Sequence, residues 1–256
     1  MTTLDAILPA AGRISGDFAV EAGTEIKALI PLGGRTVLER TLETLRVTGR
    51  VGRVVVIGPG EVASHPGARA AEVVLPPDDS GPANIFRGLE WLYQANGGRH
   101  AERVAILTTD LPFVTPKAIT DFLDAGPNDA DACVPLVTRQ EFEARFPGAE
   151  IDYVRLRDGE WTMGCVFLVE PRALIRIRPA IERAFAARKS QLAMARLLGP
   201  LFILRFLARR LTVARIEERC LKLFGCAGRA VRGCAPELAF DIDLPQDYRY
   251  AAARSG

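Results

Sequence analysis

Histidine is almost missing from this chain. Only His65 and His100 occur in 256 residues, both in polar, turn-like surroundings. That argues against a His-rich zinc centre and against a Ser-His-Asp hydrolase. No GxSxG elbow is present, which removes the usual serine nucleophile. Neither a GxxxxGK[ST] loop nor a GxGxxG after the first apolar segment occurs, so Walker-type and dinucleotide-binding phosphate loops are excluded. The five cysteines (Cys133, Cys165, Cys220, Cys226, Cys234) form no CxxC pair. Their odd number suits a reducing compartment better than a disulfide framework. No uncharged apolar stretch reaches 18 residues. The longest, 197–204 (LLGPLFIL), is bounded by Arg196 and Arg205 and is too short to cross a bilayer. The first residues, MTTLDAILPAAGR, carry an acid before the apolar run and no basic leader, unlike a signal peptide. A cytoplasmic location is expected.

What is there reads as an ordinary globular protein. The chain is 48% hydrophobic and 25% charged, which excludes disordered and fibrous classes. Its length fits a single domain, 1–256, carrying an insertion. Net charge is only +2, so no nucleic-acid partner is expected. The charge is nonetheless uneven: residues 172–232 hold 15 Lys+Arg against 3 Asp+Glu.

Through residue 137, strand-like and helix-like segments alternate. Residues 6–8, 53–57, 72–75, 104–107 and 132–137 are short apolar runs stopped by turn residues. Residues 36–46 (TVLERTLETLR) place Val37, Leu38, Thr41, Leu42 and Leu45 on one helical stripe. Residues 84–93 repeat a helical pattern, and Thr115 precedes Pro116 at another helix start. Continuous apolar strands separated by amphipathic helices predict a parallel sheet covered on both faces. Beyond residue 140, segments 153–156 and 165–169 flank the turn Asp158-Gly159 and predict an antiparallel addition. Residues 172–224 read as helix broken at Gly199-Pro200. The chain then gives a strand near 230–232, the segment FDIDLPQDY and a terminal helix.

Four features fall where strands end, the place where open α/β sheets bind ligands. Small residues in Leu8-Pro9-Ala10-Ala11-Gly12-Arg13 let backbone N–H groups approach a ligand, or form a plain turn. Lys27 precedes an apolar run, as a phosphate ligand or a solvated strand end. Asp110 closes the run VAIL, as a metal or hydroxyl partner or as a helix cap. Asp241-Ile242-Asp243 alternates so that both carboxylates face one way, which favours Mg²⁺ between them.

In order, PAAG, then K-A-L-x-x-L-x-G-R-x-V-L-E-R, then T-D-L-P-F, then D-I-D-x-P-x-D-Y resembles the GT-A-like nucleotidyltransferases. More narrowly it is similar to the MobA-like NTP transferases, a group that includes molybdenum-cofactor nucleotidyltransferases and methylerythritol-phosphate cytidylyltransferases. The resemblance covers residues 4–137 and 227–250. It implies an α/β fold, a three-layer α/β/α sandwich with a mostly parallel Rossmann-like sheet, here with a helical insertion at 172–224. It implies transfer of NMP from an NTP to a phosphorylated or hydroxylated acceptor, with release of pyrophosphate. Leu8, Ala10, Ala11, Gly12 and Arg13 would then wrap the nucleotide, Arg13 and Lys27 would neutralise the triphosphate, and Gly81 and Asn84 would lie on the base side. Asp110 and one acid of the later pair, Asp243 for preference, would hold Mg²⁺, and Gly164 would sit under the acceptor. Catalysis would rest on Arg13, Lys27 and Asp110. Pro9-Ala10-Ala11-Gly12 is closer to the cytidylyl-type than to the guanylyl-type relatives, which favours CTP over GTP.

The loop departs from the family patterns GGxGxRM and AGxGxRM. Gly12 is followed directly by Arg13, and residues 14–26, with Asp17, Glu21 and Glu25, precede Lys27; this length predicts a mobile lid. Two other classes stay open: a GT-A glycosyltransferase, since Asp241-Ile242-Asp243 mimics its DxD element, and a non-catalytic nucleotide-binding domain. For the insertion, Leu192, Met194, Leu197, Leu198, Leu201, Phe202, Ile203, Leu204, Phe206 and Leu207 lie among Arg196, Arg205, Arg209 and Arg210. That composition fits packing on the sheet or on a second subunit as a homodimer. That reading comes first; the alternative is contact with an amphiphilic acceptor or with an anionic membrane surface.

Overall fold

The computed structural model describes residues 3–187, 190 and 196–255. Strands β1 (Leu4–Pro9), β4 (Val51–Ile57), β5 (Val73–Leu75) and β6 (Val104–Leu107) run parallel in the order β5-β4-β1-β6. The sheet continues through β10 (Val166–Val169), β7 (Ala132–Thr138), β9 (Gly159–Met163) and β8 (Val154–Leu156), while β11 (Gly228–Arg232) lies parallel to β7. A separate small pair joins β2 (Pro31–Leu32) to β3 (Arg35–Thr36).

Alternation along the strands builds two cores. Ala6 and Leu8 of β1 and Val54 and Val56 of β4 pack with Leu38, Leu42 and Leu45 of α2 (Val37–Thr48) and with α5 (Pro116–Ala125). Ile7, Val55 and Ile57 face the other way, onto Phe86, Leu89 and Leu92 of α4 (Gly81–Ala95). Three α/β/α layers result, as expected. The whole predicted α2 stripe is buried, and Thr36 with Glu39 closes a capping box at its start.

Residues 14–26 form a packed arm where a mobile lid was expected. They carry α1 (Asp17–Ala22), and Ile14, Phe18, Ala22 and Ile26, four residues apart, all enter the main core. Glu21 accepts two hydrogen bonds of 2.7 Å from Arg249 of the terminal helix, and Phe18 lies 6.1 Å from the ring of Tyr248. The antiparallel part also differs from expectation. The turn at Asp158-Gly159 joins β8 to β9, whereas β10 is central, antiparallel to both β6 and β7. Val166, Leu168 and Val169 are buried there because layers cover both faces.

Shorter helices α3 (Gly60–Ser64) and α6 (Arg139–Arg145) fill connections. The insertion is helical where described: α7 (Pro171–Arg176), α8 (Arg178–Ala187), α9 (Pro200–Leu207) and α10 (Val213–Phe224), with α11 (Pro245–Ala252) closing the chain. Gly199, at φ 90°, makes the predicted break. Leu192 and Met194 lie outside the described residues. Helix α8 packs on α4, where Arg178 stands 4.8 Å over the Phe86 ring, and α10 covers β11.

Candidate active site

The strand order reverses between β1 and β6, and the ends of these two strands carry the candidate residues. Thr109 donates from Oγ1 to the carbonyl of Pro9 at 3.0 Å, tying the two ends together. In the loop after β1, the Ala10 N–H reaches the Ile57 carbonyl at 2.7 Å. The N–H groups of Ala11, Gly12 and Arg13 have no acceptor among the described residues. Such a run of open donors is suited to an anion. Leu8 and Ala10 are wholly buried, so they support the loop from beneath and offer no exposed surface to a nucleotide.

The arm returns to the loop as an antiparallel bridge between Arg13 and Ile26. Lys27 N–H donates to the Gly12 carbonyl at 2.9 Å, and Ile14 N–H to that of Glu25 at 2.8 Å. A Cβ on Gly12 would lie 3.3 Å from Cδ of Lys27. The glycine thus admits the lysine stem beneath the loop. The long departure in sequence ends where a short loop would, with Lys27 at the strand ends.

There Lys27 meets three acids. Its Nζ lies 3.5 Å from Oδ2 of Asp110 and donates to Oδ1 of Asp243. One oxygen each of Asp110, Asp241 and Asp243 lies within 4.8 Å of the others. Residues 240–243 lie outside any strand or helix. The alternation still holds: Ile242 is fully buried and donates its N–H to the Asp110 carbonyl at 3.0 Å, so both flanking aspartates turn to the site. Asp247 fixes this turn by accepting from the N–H groups of Asp243 and Leu244 at 3.1 and 2.7 Å.

When all three carboxylates are ionised they outweigh the one ammonium, and the cluster resists that state. Burial pushes the Asp110 carboxyl up, against the pull of Lys27. Burial, then Asp110 and Asp243, push Asp241 up to about 7. Burial disfavours the Lys27 cation, but Asp110 and Asp243 outweigh it and its pKa rises. Oδ1 of Asp110 is buried without a hydrogen-bond partner. An oxygen-donor set with an orphaned carboxylate oxygen and surplus negative charge fits a hard divalent cation.

Arg13 turns to Glu25 and Glu61, each at 3.3 Å, at the exposed rim of the loop. Gly81 opens α4 behind its cap Ser80, beside Phe185 of α8. Asn84 is buried and accepts from the Asp78 N–H at 2.6 Å, and Asp78 pairs with Arg87 at 2.9 Å. Asn84 therefore shapes the 76–80 loop. Gly164 lies under the acid-bearing segment, where a Cβ would meet the Leu238 carbonyl oxygen at 2.6 Å. The sequence favours Asp243 of the pair; the structure places Asp241 at the same point and adds Asp247 and Cys165, whose Sγ stands 3.8 Å from Asp241. The D-x-P-x-D spacing held the signal for Asp247, an acid at the third position of a helix begun by proline. Next to the acids opens a cleft of about 700 Å³ that includes Phe142, Met163, Phe240, Glu150, Asp152 and Asp241, with no Lys or Arg in its lining.

Solved structures share this architecture. A hypothetical transferase from Thermus thermophilus is 31% identical, with a TM-score of 0.84, over 96% of this chain and 100% of that one. The 4-diphosphocytidyl-2C-methyl-D-erythritol synthase of Anaerococcus prevotii is 13% identical, with a TM-score of 0.60, over 99% and 96% of the two chains. A CMP:2-keto-3-deoxy-manno-octonic acid synthetase solved with CTP is 12% identical, with a TM-score of 0.56, over 99% and 98%. The last two show likeness of fold alone. No curated protein sequence matches the chain. The model of the MobA-like NTP transferase domain matches residues 10–217, and the chain belongs to that family.

Proposed function

We propose that the protein is a Mg²⁺-dependent nucleotidyltransferase that moves NMP from an NTP to an acceptor and releases pyrophosphate. The observation that carries this reading is the convergence of Asp110, Asp241, Asp243 and Lys27 beside the open N–H groups of residues 11–13. Asp110, Asp241 and Asp243 would hold the cation. When bound, Mg²⁺ supplies Lewis-acid polarisation of the phosphate under attack.

The chain's own residues do the rest by position and charge. The N–H groups of Ala11, Gly12 and Arg13 hold phosphate oxygens. Lys27 neutralises the triphosphate and gains value as charge grows on the departing pyrophosphate. Arg13 joins it by leaving Glu25 and Glu61, partners at an exposed rim where ion pairs are weak. The cytidylyl character of Pro9-Ala10-Ala11-Gly12, and the CTP-related names of two structural neighbours, support CTP as donor. For the acceptor, the cleft carries Glu150 and Asp152 besides the acids assigned to the cation, and no Lys or Arg among the described residues, which disfavours a phosphate monoester relative to a hydroxyl group.

The test is thermal stabilisation and pyrophosphate release with CTP, GTP, ATP and UTP, with and without Mg²⁺. An NTP at about 100 times its Kd adds about 2.7 kcal/mol of stability. Stabilisation by one Mg–NTP, CTP first, is expected. Indifference to every NTP in the presence of Mg²⁺ overturns the reading.

A further inference from the structure

The insertion carries a surface that nucleotidyl transfer does not use. Residues 183–216 contain eight Lys and Arg and no Asp or Glu. Within them, α9 (PLFILRFL) leaves Leu201, Leu204 and Leu207 60, 63 and 70% exposed. These leucines recur every third residue, so they form one ridge along the helix. An open groove of about 960 Å³ beside it is lined by Arg157, Arg205, Arg209, Arg210 and Arg215 together with Leu201 and Leu204. An exposed apolar ridge with a polar rim marks an interaction surface. Arg215 is already paired with Glu218 at 3.0 Å, while Arg157, Arg205, Arg209 and Arg210 form no ion pair among the described residues and leave the groove positively charged.

One backbone feature points the same way. Arg209 is the one non-glycine residue with positive φ among the described residues, at 53°. Its N–H donates to the Phe206 carbonyl at 2.9 Å, and that of Arg210 to Arg205 at 2.8 Å. This is a left-handed helix ending in which glycine is the ordinary occupant. Here that position carries a cation on the groove.

We propose that α9 and its arginine rim dock on an anionic lipid bilayer. The helix lies in the interface plane, with Leu201, Leu204 and Leu207 at the acyl boundary and the arginines at the headgroups. No helix among the described residues is long and apolar enough to cross a membrane, so the contact is peripheral. A second copy fits less well, because a two-fold contact sets these arginines against themselves. Single-stranded nucleic acid fits less well too, because leucines make up the ridge and Phe206 is the one exposed ring of α9, short of a stacking platform.

Co-sedimentation of the full chain with vesicles tests this without any nucleotide. Binding is expected to mixed phosphatidylglycerol–phosphatidylcholine vesicles but not to pure phosphatidylcholine, and it weakens with salt. Arg209→Glu/Arg210→Glu and Leu204→Glu/Leu207→Glu should each lose roughly tenfold or more in vesicle affinity. Arg209→Gly relieves the left-handed residue, so its weaker binding at equal or higher melting temperature cannot come from misfolding. No binding to anionic vesicles overturns the proposal. So does a dimer in solution that Leu204→Glu/Leu207→Glu dissociates, or preferential binding of added RNA.

Discussion

Lys27 Nζ lies 3.5 Å from Oδ2 of Asp110, and both side chains are mostly buried, 17 and 15% exposed. An ion pair of this kind is costly to break from one side, because the surviving charge stays buried. Here the acids outnumber the cation, so the two partners are not equivalent. Removing Lys27 leaves three mutually repelling carboxylates, whereas removing one acid relieves them.

Asp110→Asn should therefore reduce transfer by about 10²–10³ while leaving the metal-free fold intact or slightly more stable. Asp243→Asn should behave likewise, and Asp241→Asn should be milder. Isothermal titration with Mg²⁺ and a pyrophosphate-release assay check both halves. Wild-type turnover of Asp110→Asn under limiting Mg²⁺ contradicts the assignment.

Lys27→Ala should weaken NTP binding and lower kcat together, since its charge serves both the bound triphosphate and the leaving group. Lys27→Met keeps the stem that packs on Gly12 and isolates the loss of charge. Lys27→Arg should not restore activity, because a planar guanidinium differs in size and shape from the ammonium. Unchanged affinity and rate in Lys27→Met removes the phosphate role.

Much of this was legible in the sequence. The strands β1, β4, β6 and β7 and the α2 stripe follow from apolar runs and period, and the strand-end acids follow from where those runs stop. Two things escaped for physical reasons. The arm's apolar residues at 14, 18, 22 and 26 share a helical face, yet α1 covers only Asp17–Ala22, so the pattern read as a loop with acids. The placement of β10 between β6 and β7 is a tertiary choice that four apolar residues do not encode locally. The pairing of Asp241 with Asp243 is legible in the alternation, and the 240–247 segment realises it by folding back onto Asp110, where Asp247 holds the turn.

The cluster makes the metal-free protein sensitive to pH. Asp241 has its folded pKa raised to about 7 from 3.8, so the folded state binds its proton more tightly than the unfolded state does. This group's contribution to stability is thus full below the unfolded value and is lost as pH rises from about 4 to 7. Asp110 is shifted in the same direction. The melting temperature without metal should fall relative to Asp241→Asn across that window. Mg²⁺ should reverse the trend, since it binds the deprotonated acids and releases protons. A melting difference between the two proteins that is flat with pH contradicts this account.

Phe18→Ala should loosen the arm. The ring is buried in the main core beside Tyr248, so its loss costs about 3–5 kcal/mol. Hydrogen exchange should rise through residues 14–26, and the KM for NTP should rise because that arm returns Lys27 to the loop. Glu21→Gln breaks only an exposed pair with Arg249 and should change melting little. Equal exchange in Phe18→Ala and wild type means that the arm is held by something else.

Gly164→Ala tests whether the acids are positioned from below. A Cβ at 164 would stand 2.6 Å from the Leu238 carbonyl oxygen and 2.7 Å from Cγ of Pro135. The first is a backbone atom that also accepts the Cys165 N–H at 2.7 Å, so no side-chain rotation relieves the contact. The 238–243 segment must move, and with it Asp241 and Asp243. Overpacking of this kind costs about 1–3 kcal/mol, which a well-packed two-core sheet tolerates. The specific consequence is weaker Mg²⁺ binding in a protein that still folds, with Lys27 and Asp110 chemically intact. Titration of Mg²⁺ into folded Gly164→Ala checks it. Wild-type affinity would mean that the two aspartates are held by Ile242 and Asp247 alone and that Gly164 matters only for packing.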